Sequence, residues 1–171
     1  MNNPIRLLVL DVDGVLTDGT IFIDDAGRQM RGFHIQDGLG ITLWKAAGGR
    51  VAILTSKRSE AVMTRARMLG IDLVEQGEEN KLPGFERILA AAGVSAEETA
   101  YVGDDLLDLA VMRRAGYAIA VANAVDEVKQ RARHVTSRPG GQAAVREAVE
   151  HLLKTGGLWA KALAAIGADR E

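Results

Sequence analysis

A chain of 171 residues with 47% apolar and 26% charged side chains is long enough to bury a substantial core and has the balance of a globular protein. A net charge of −2, no dense Lys/Arg block and only 4% aromatic residues argue against nucleic acid as a partner. The lack of cysteine excludes disulfides, thiolate catalysis and Cys-based zinc sites, and no apolar run reaches the length of a signal h-region or a membrane span, so no membrane insertion and a cytoplasmic location are expected.

Residues 5–10 form an apolar run broken only by Arg6, the pattern of a buried parallel strand. It runs into Asp11-Val12-Asp13-Gly14-Val15-Leu16-Thr17-Asp18-Gly19, and acids at the rim of a core are costly unless a cation is bound there. A local turn at Asp13-Gly14 is the plainer alternative; an EF-hand loop fails, because Val15 and Phe22 fall where calcium needs oxygen ligands. Residues 20–23 and 29–33 flank Asp24-Asp25-Ala26-Gly27 as a β-hairpin. Such a hairpin is marginal alone, and pairing with other subunits is the cheapest cover for Ile21, Phe22, Ile23 and Phe33. Asp37-Gly38-Leu39-Gly40 then opens a helix to about residue 47, closed by Gly48-Gly49.

From residue 51 the pattern repeats as strand, turn, helix. Strands are predicted at 51–54, near 73–74, at 99–102 and at 117–121, with a short extended piece at 134–135. Helices are predicted at 60–69, about 81–92, 106–115 and about 125–132; Gly70, Gly93 and Gly116 stop the first three. Ser137-Arg138-Pro139-Gly140-Gly141 is a turned connector, residues 142–154 an amphipathic helix, and 159–166 a short Ala-rich helix, so a helical tail fills about 141–171. Alternation of this kind implies an α/β fold, a Rossmann-like doubly wound parallel sheet in a single domain spanning 1–171, with the hairpin of about 20–33 projecting from it. Ligands bind such sheets beyond the carboxyl ends of the strands. That rule selects Asp11 and Asp13, Thr55 and Ser56, and Asp104 and Asp105.

A carboxylate at Asp11 is a competent nucleophile towards phosphorus. Magnesium held by Asp11, Asp104 and a backbone carbonyl would offset repulsion from a phosphate ester, and Asp13 would protonate the leaving oxygen and then take the proton of water. Thr55 would hydrogen-bond a phosphoryl oxygen, and a lysine would neutralise charge during transfer. Each residue alone has an ordinary explanation: Thr55 as a helix cap, Lys81 as a solvated lysine, Gly103-Asp104-Asp105 as a turn, Asp108 as an exposed helical acid. Their order after consecutive strands raises all of them together.

Asp11 to Gly19, Leu54-Thr55-Ser56, Lys81 and Gly103-Asp104-Asp105-Leu106-Leu107-Asp108 resemble, in order, the four motifs of the haloacid dehalogenase superfamily. An acid two residues after the nucleophile is the pattern of its phosphatases, and the short interval between Gly19 and Thr55 leaves no room for a cap domain. Within the superfamily the extended first motif, the hairpin, Phe33-His34-Ile35-Gln36-Asp37-Gly38, Glu75-Gln76-Gly77 with Lys81, and the run from Arg138 to Glu147 are similar to the 3-deoxy-D-manno-octulosonate 8-phosphate phosphatase family. That resemblance implies a magnesium-dependent hydrolase of an acidic eight-carbon sugar phosphate on the lipopolysaccharide route, working as a homotetramer assembled through the hairpins. It implies catalytic roles for Asp11, Asp13, Thr55 and Lys81, and a metal held by Asp11, Asp104 and the carbonyl of Asp13. Asp105 and Asp108 would support these, and His34, Asp37, Gly38, Ser56, Lys57 and Lys81 would line the substrate with Thr55. Relatives often carry Gly-Arg where this chain has Ser56-Lys57, which substitutes a point charge for a guanidinium, and a glycine where it has Ala143. A phosphatase of another acid sugar phosphate, such as a nine-carbon sialic-type acid, and a non-catalytic assembly module of the same fold are the alternatives.

Overall fold

In the computed structural model, which describes residues 4–169, the first apolar run forms β1 (Leu7–Leu10), fully buried along its length. It starts two residues later than predicted, because the charged Arg6 turns outwards to Glu98 at 3.1 Å. The hairpin is shorter than predicted: β2 (Phe22–Ile23) and β3 (Gln29–Met30) pair through Phe22 with Met30 and Ile23 with Gln29. Asp24 closes it, accepting from the backbone of Ala26 and Arg28 and from the Arg28 guanidinium at 2.6 Å. Phe33 leaves the hairpin and packs partly on the core, with the Arg65 guanidinium 5.8 Å from its ring centroid.

The helix α1 (Ile35–Ala46) begins earlier than predicted, since the His34 ring nitrogen Nδ1 accepts the Gln36 N–H at 3.3 Å and caps it. Then follow β4 (Arg50–Thr55), α2 (Glu60–Leu69), β5 (Leu73–Gln76), α3 (Lys81–Ala92) and β6 (Thr99–Gly103). The remaining elements are α4 (Leu109–Arg114), β7 (Tyr117–Ala120), α5 (Asp126–Arg131), β8 (His134–Val135), α6 (Ala144–Thr155) and α7 (Trp159–Ala165). The predicted helix over 106–115 is split, a 3₁₀ turn at Leu106–Asp108 preceding α4 because the Asp108 carboxylate folds back onto the chain before it. Ala143 adopts φ 71°, a left-handed conformation that delays the start of α6.

One six-stranded parallel sheet results, in the order β5-β4-β1-β6-β7-β8. The chain grows outwards from β1 through β4 to β5 and returns to β6 on the other side, so the order reverses between β1 and its two neighbours, where doubly wound sheets bind ligands. Flanking it, α1 packs with α2, α6 and α7, while α3 packs with α4 and α4 with α5. The Ala-rich α7 is seated by fully buried Ala162 and by Lys161, which donates to the Ala47 carbonyl at 2.7 Å. Between β1 and β4 lie only the hairpin and α1. Among the described residues no helix is long and apolar enough to cross a membrane.

Candidate active site

The end of β1 is held before it turns. The Asp11 N–H still bonds the Val102 carbonyl at 3.1 Å, after which Val12 O accepts from Val15, Leu16 and Thr17. Buried Thr17 pins the turn from inside, its hydroxyl accepting from the N–H groups of Gly14 and Gly19 and donating to Val12 O. Gly14 is required twice over: its φ is 93°, and a Cβ there would lie 1.9 Å from Asp104 Oδ2. The carboxylate that ends β6 reaches Asp11 across a glycine.

Asp108 organises the β6 side. Its Oδ2 accepts the N–H groups of Asp104 at 2.8 Å and Asp105 at 3.1 Å, and its Oδ1 accepts from Tyr101 Oη and from Lys81 Nζ, both at 2.6 Å. Lys81, first residue of α3, also pairs with Asp11 Oδ1 at 2.9 Å. It is buried, not a solvated helix-start lysine, and Asp108 is fully buried rather than an exposed helical acid.

Oxygens of Asp11, Asp104 and Asp108 lie within 4.8 Å of one another, and the ammonium of Lys81 pairs with Asp11 and Asp108 while its charge also acts on Asp104. Burial first, then the charge of Asp108, pushes the Asp11 carboxyl up to about 8 although Lys81 opposes the shift. The same causes in the same order push Asp104 up to about 7. Burial pulls Lys81 down, but Asp11 and Asp108 outweigh it and leave it above its ordinary value. Three acids thus share one cation. Both oxygens of Asp108 are engaged, whereas Asp104 Oδ1 is buried with no partner, which leaves the carboxyls of Asp11 and Asp104 facing one another for an oxygen-preferring divalent ion. This cradle fits magnesium.

Asp13 is half-buried and points instead to Arg31, whose Nε lies 2.7 Å from Oδ1. Thr55 ends β4 in register with Gln76 and is buried; Ser56 Oγ is buried without a partner, and Lys57 is exposed. Asp105 caps the 3₁₀ turn, accepting the Leu106 N–H at 2.7 Å. The remaining expected substrate residues make their contacts elsewhere. His34 caps α1, Gly38 lies against the Arg65 guanidinium, and buried Asp37 accepts the Arg146 N–H at 2.8 Å, joining α1 to the start of α6. Two further residues of the site carry little sequence signal: Arg31, which no motif spacing marks, and Tyr101, one of two hydroxyl-bearing residues with Thr99 in a buried strand.

The sequence model of the haloacid dehalogenase-like hydrolases matches residues 47–168. The 3-deoxy-D-manno-octulosonate 8-phosphate phosphatase KdsC of Escherichia coli is 43% identical over 149 residues, covering 87% of this chain and 79% of the relative. Among solved structures, the phosphatase of that name from Moraxella catarrhalis, in complex with a magnesium ion, a phosphate ion and KDO, superposes with a TM-score of 0.90 at 36% identity over 95% of this chain and 93% of its own. The cobalt-bound phosphatase from Haemophilus influenzae gives a TM-score of 0.88 at 40% identity, with 90% of each chain covered.

Proposed function

The chain belongs to the haloacid dehalogenase-like hydrolases, and from that premise we infer that it is a magnesium-dependent phosphatase releasing phosphate from 3-deoxy-D-manno-octulosonate 8-phosphate. The observation that carries this reading is the meeting of Asp11, Asp104, Asp108 and Lys81 at the point where the strand order reverses, in a chain 43% identical to a phosphatase of that substrate.

In the proposed mechanism Asp11 attacks phosphorus as the bond to the sugar oxygen breaks, and Asp13 gives its proton to that oxygen. Water then attacks the aspartyl-phosphate, Asp13 takes the proton of the water, and the Asp11 carboxylate is restored. Lys81 holds Asp11 in line through its 2.9 Å contact and places positive charge beside the transferred group. Asp108 holds Lys81 at 2.6 Å, and the Tyr101 hydroxyl, itself bonded to Asp108, accepts from Lys81 at 3.4 Å. Thr55 and Ser56, at the end of β4, are the proposed donors to phosphoryl oxygens, the unpartnered Ser56 hydroxyl being free for one. Asp11, Asp104 and the backbone carbonyl of Asp13 would hold magnesium, which when bound screens the charge of the phosphoryl group.

The same proposal takes the chain as a single cytoplasmic domain assembling into a homotetramer through its hairpins. The exposed Phe22, Ile23 and Met30 support that assembly. Magnesium-dependent phosphate release is to be measured across eight-carbon and nine-carbon acid sugar phosphates, hexose phosphates and a nitrophenyl ester. Preference for the eight-carbon ester is expected. Turnover confined to a nine-carbon ester overturns the substrate and keeps the mechanism; no release from any ester overturns the function.

A further inference from the structure

Arg31 follows β3 directly and enters the site from the hairpin side. Its side chain is only 1% exposed, and burying a guanidinium is costly unless its donors are paired. Here they are. Nε donates to Asp13 Oδ1 at 2.7 Å, Nη2 to Asp13 Oδ2 at 3.4 Å, and Nη1 to both Gln29 Oε1 and Ser59 Oγ at 3.2 Å. Ser59 is itself anchored, its N–H donating to Gln76 Oε1 at 2.8 Å. The guanidinium is therefore fixed by the hairpin and by the start of α2 before it meets Asp13. A residue held from both sides suits orientation of a neighbour better than capture of a mobile ligand.

We propose that Arg31 is a positioning residue, which clamps Asp13 through Oδ1 so that Oδ2 faces the oxygen of the leaving group. The inference rests on the phosphatase reading given above. The clamp is asymmetric: the 2.7 Å contact fixes Oδ1, while the 3.4 Å contact leaves Oδ2 loosely held. In the first step the proton on Oδ2 passes to the ester oxygen while the phosphorus–oxygen bond to the sugar breaks and the bond to Asp11 forms. In the second, Asp13 takes a proton from the attacking water as the Asp11–phosphorus bond breaks. Misplacing such an acid by an ångström is enough to cost on the order of 10²-fold in rate.

The test compares Arg31→Gln and Arg31→Lys with wild type on two esters. A sugar phosphate has an alkoxide leaving group that needs the proton; nitrophenyl phosphate has one that does not. Arg31→Gln should lower kcat on the sugar phosphate by roughly 10²-fold and on the nitrophenyl ester by no more than about threefold, with Arg31→Lys recovering part of the loss. Ser59→Ala, which loosens the clamp without touching Asp13, should act in the same direction more weakly. In an Asp13→Asn background, Arg31→Gln should add no further loss. Equal losses on both esters, a rise in KM alone, or additive losses in the double variant overturn the inference while leaving the function standing. Wild-type silence on both esters overturns the function and the inference with it.

Discussion

The carboxyl edge of the sheet and the hairpin beside it are opposite kinds of structure. At the edge, Lys81, Asp108 and Tyr101 are buried and bonded to one another, and glycine lets Asp104 approach Asp11. In the hairpin each strand has two residues, and Phe22, Ile23 and Met30 are 57%, 65% and 62% exposed. One region bonds most of its polar groups within the chain, leaving Asp104 Oδ1 and Ser56 Oγ unpartnered, and the other leaves its apolar groups uncovered. Arg31 is the link, carried by the hairpin's return and spent on Asp13. The contrast teaches that chemistry and apolar surface are separable here, and a substitution should be able to remove either without the other.

The largest expected effect removes the chemistry. Asp11→Asn keeps the shape and the oxygen facing Lys81 but takes away the proposed nucleophile, so turnover should fall by on the order of 10⁴-fold or more, with an unchanged circular dichroism spectrum. Wild-type turnover by this variant would refute covalent catalysis at Asp11.

A smaller effect reads the charge shortage. Asp11 and Asp104, raised by burial and by Asp108 to about 8 and about 7 from an ordinary 3.8, keep protons in the folded chain that the unfolded chain has lost. Metal-free stability should therefore decline as pH rises towards 8. Burial and the facing His134 lower His151 below 6.5, which adds stability with rising pH only up to that value, so the clean window is 6.5 to 8. Across it chelated protein should lose on the order of 2 kcal/mol, and the gain in Tm on adding magnesium should grow with pH, because the ion binds the deprotonated acids. Calorimetry of chelated protein showing a flat or rising Tm over that window would refute the assignment.

What the sequence disclosed follows the range of each signal. The helix ends at Gly70 and Gly93 are local, and both glycines adopt the left-handed conformation expected of a C-cap. The alternation that predicted a parallel sheet is also local, and it put Asp11, Thr55 and Asp104 at strand ends before any contact was known. Distant partners left no trace. Asp37 looks like a helix-opening acid, but its carboxylate serves Arg146, 109 positions away in sequence. Asp108 has the spacing of a surface acid on a predicted helix, and its burial depends on Lys81, 27 positions earlier. Arg31 meets Asp13 across 18 residues, with the hairpin between them. Motif resemblance recovered Lys81 because a family pattern encodes such long contacts; Arg31 lies outside the pattern and stayed invisible.

The smallest expected effect on the folded chain tests the hairpin. Two cross-strand pairs are too few to stabilise a hairpin in water, so its side chains need a surface from elsewhere. Phe22→Glu or Ile23→Glu alters side chains that are mostly exposed within one chain, so chain stability should change by no more than about 0.5 kcal/mol. An interface is far less tolerant. A carboxylate buried between facing hairpins would lose its hydration, and charge on a strand edge is what discourages pairing in natural sheets. Light scattering should then give a smaller mass for either variant than for wild type, at nearly the same Tm. A wild-type mass equal to one chain, or variants of unchanged mass, would sink assembly through the hairpin, and the apolar surface would need another occupant.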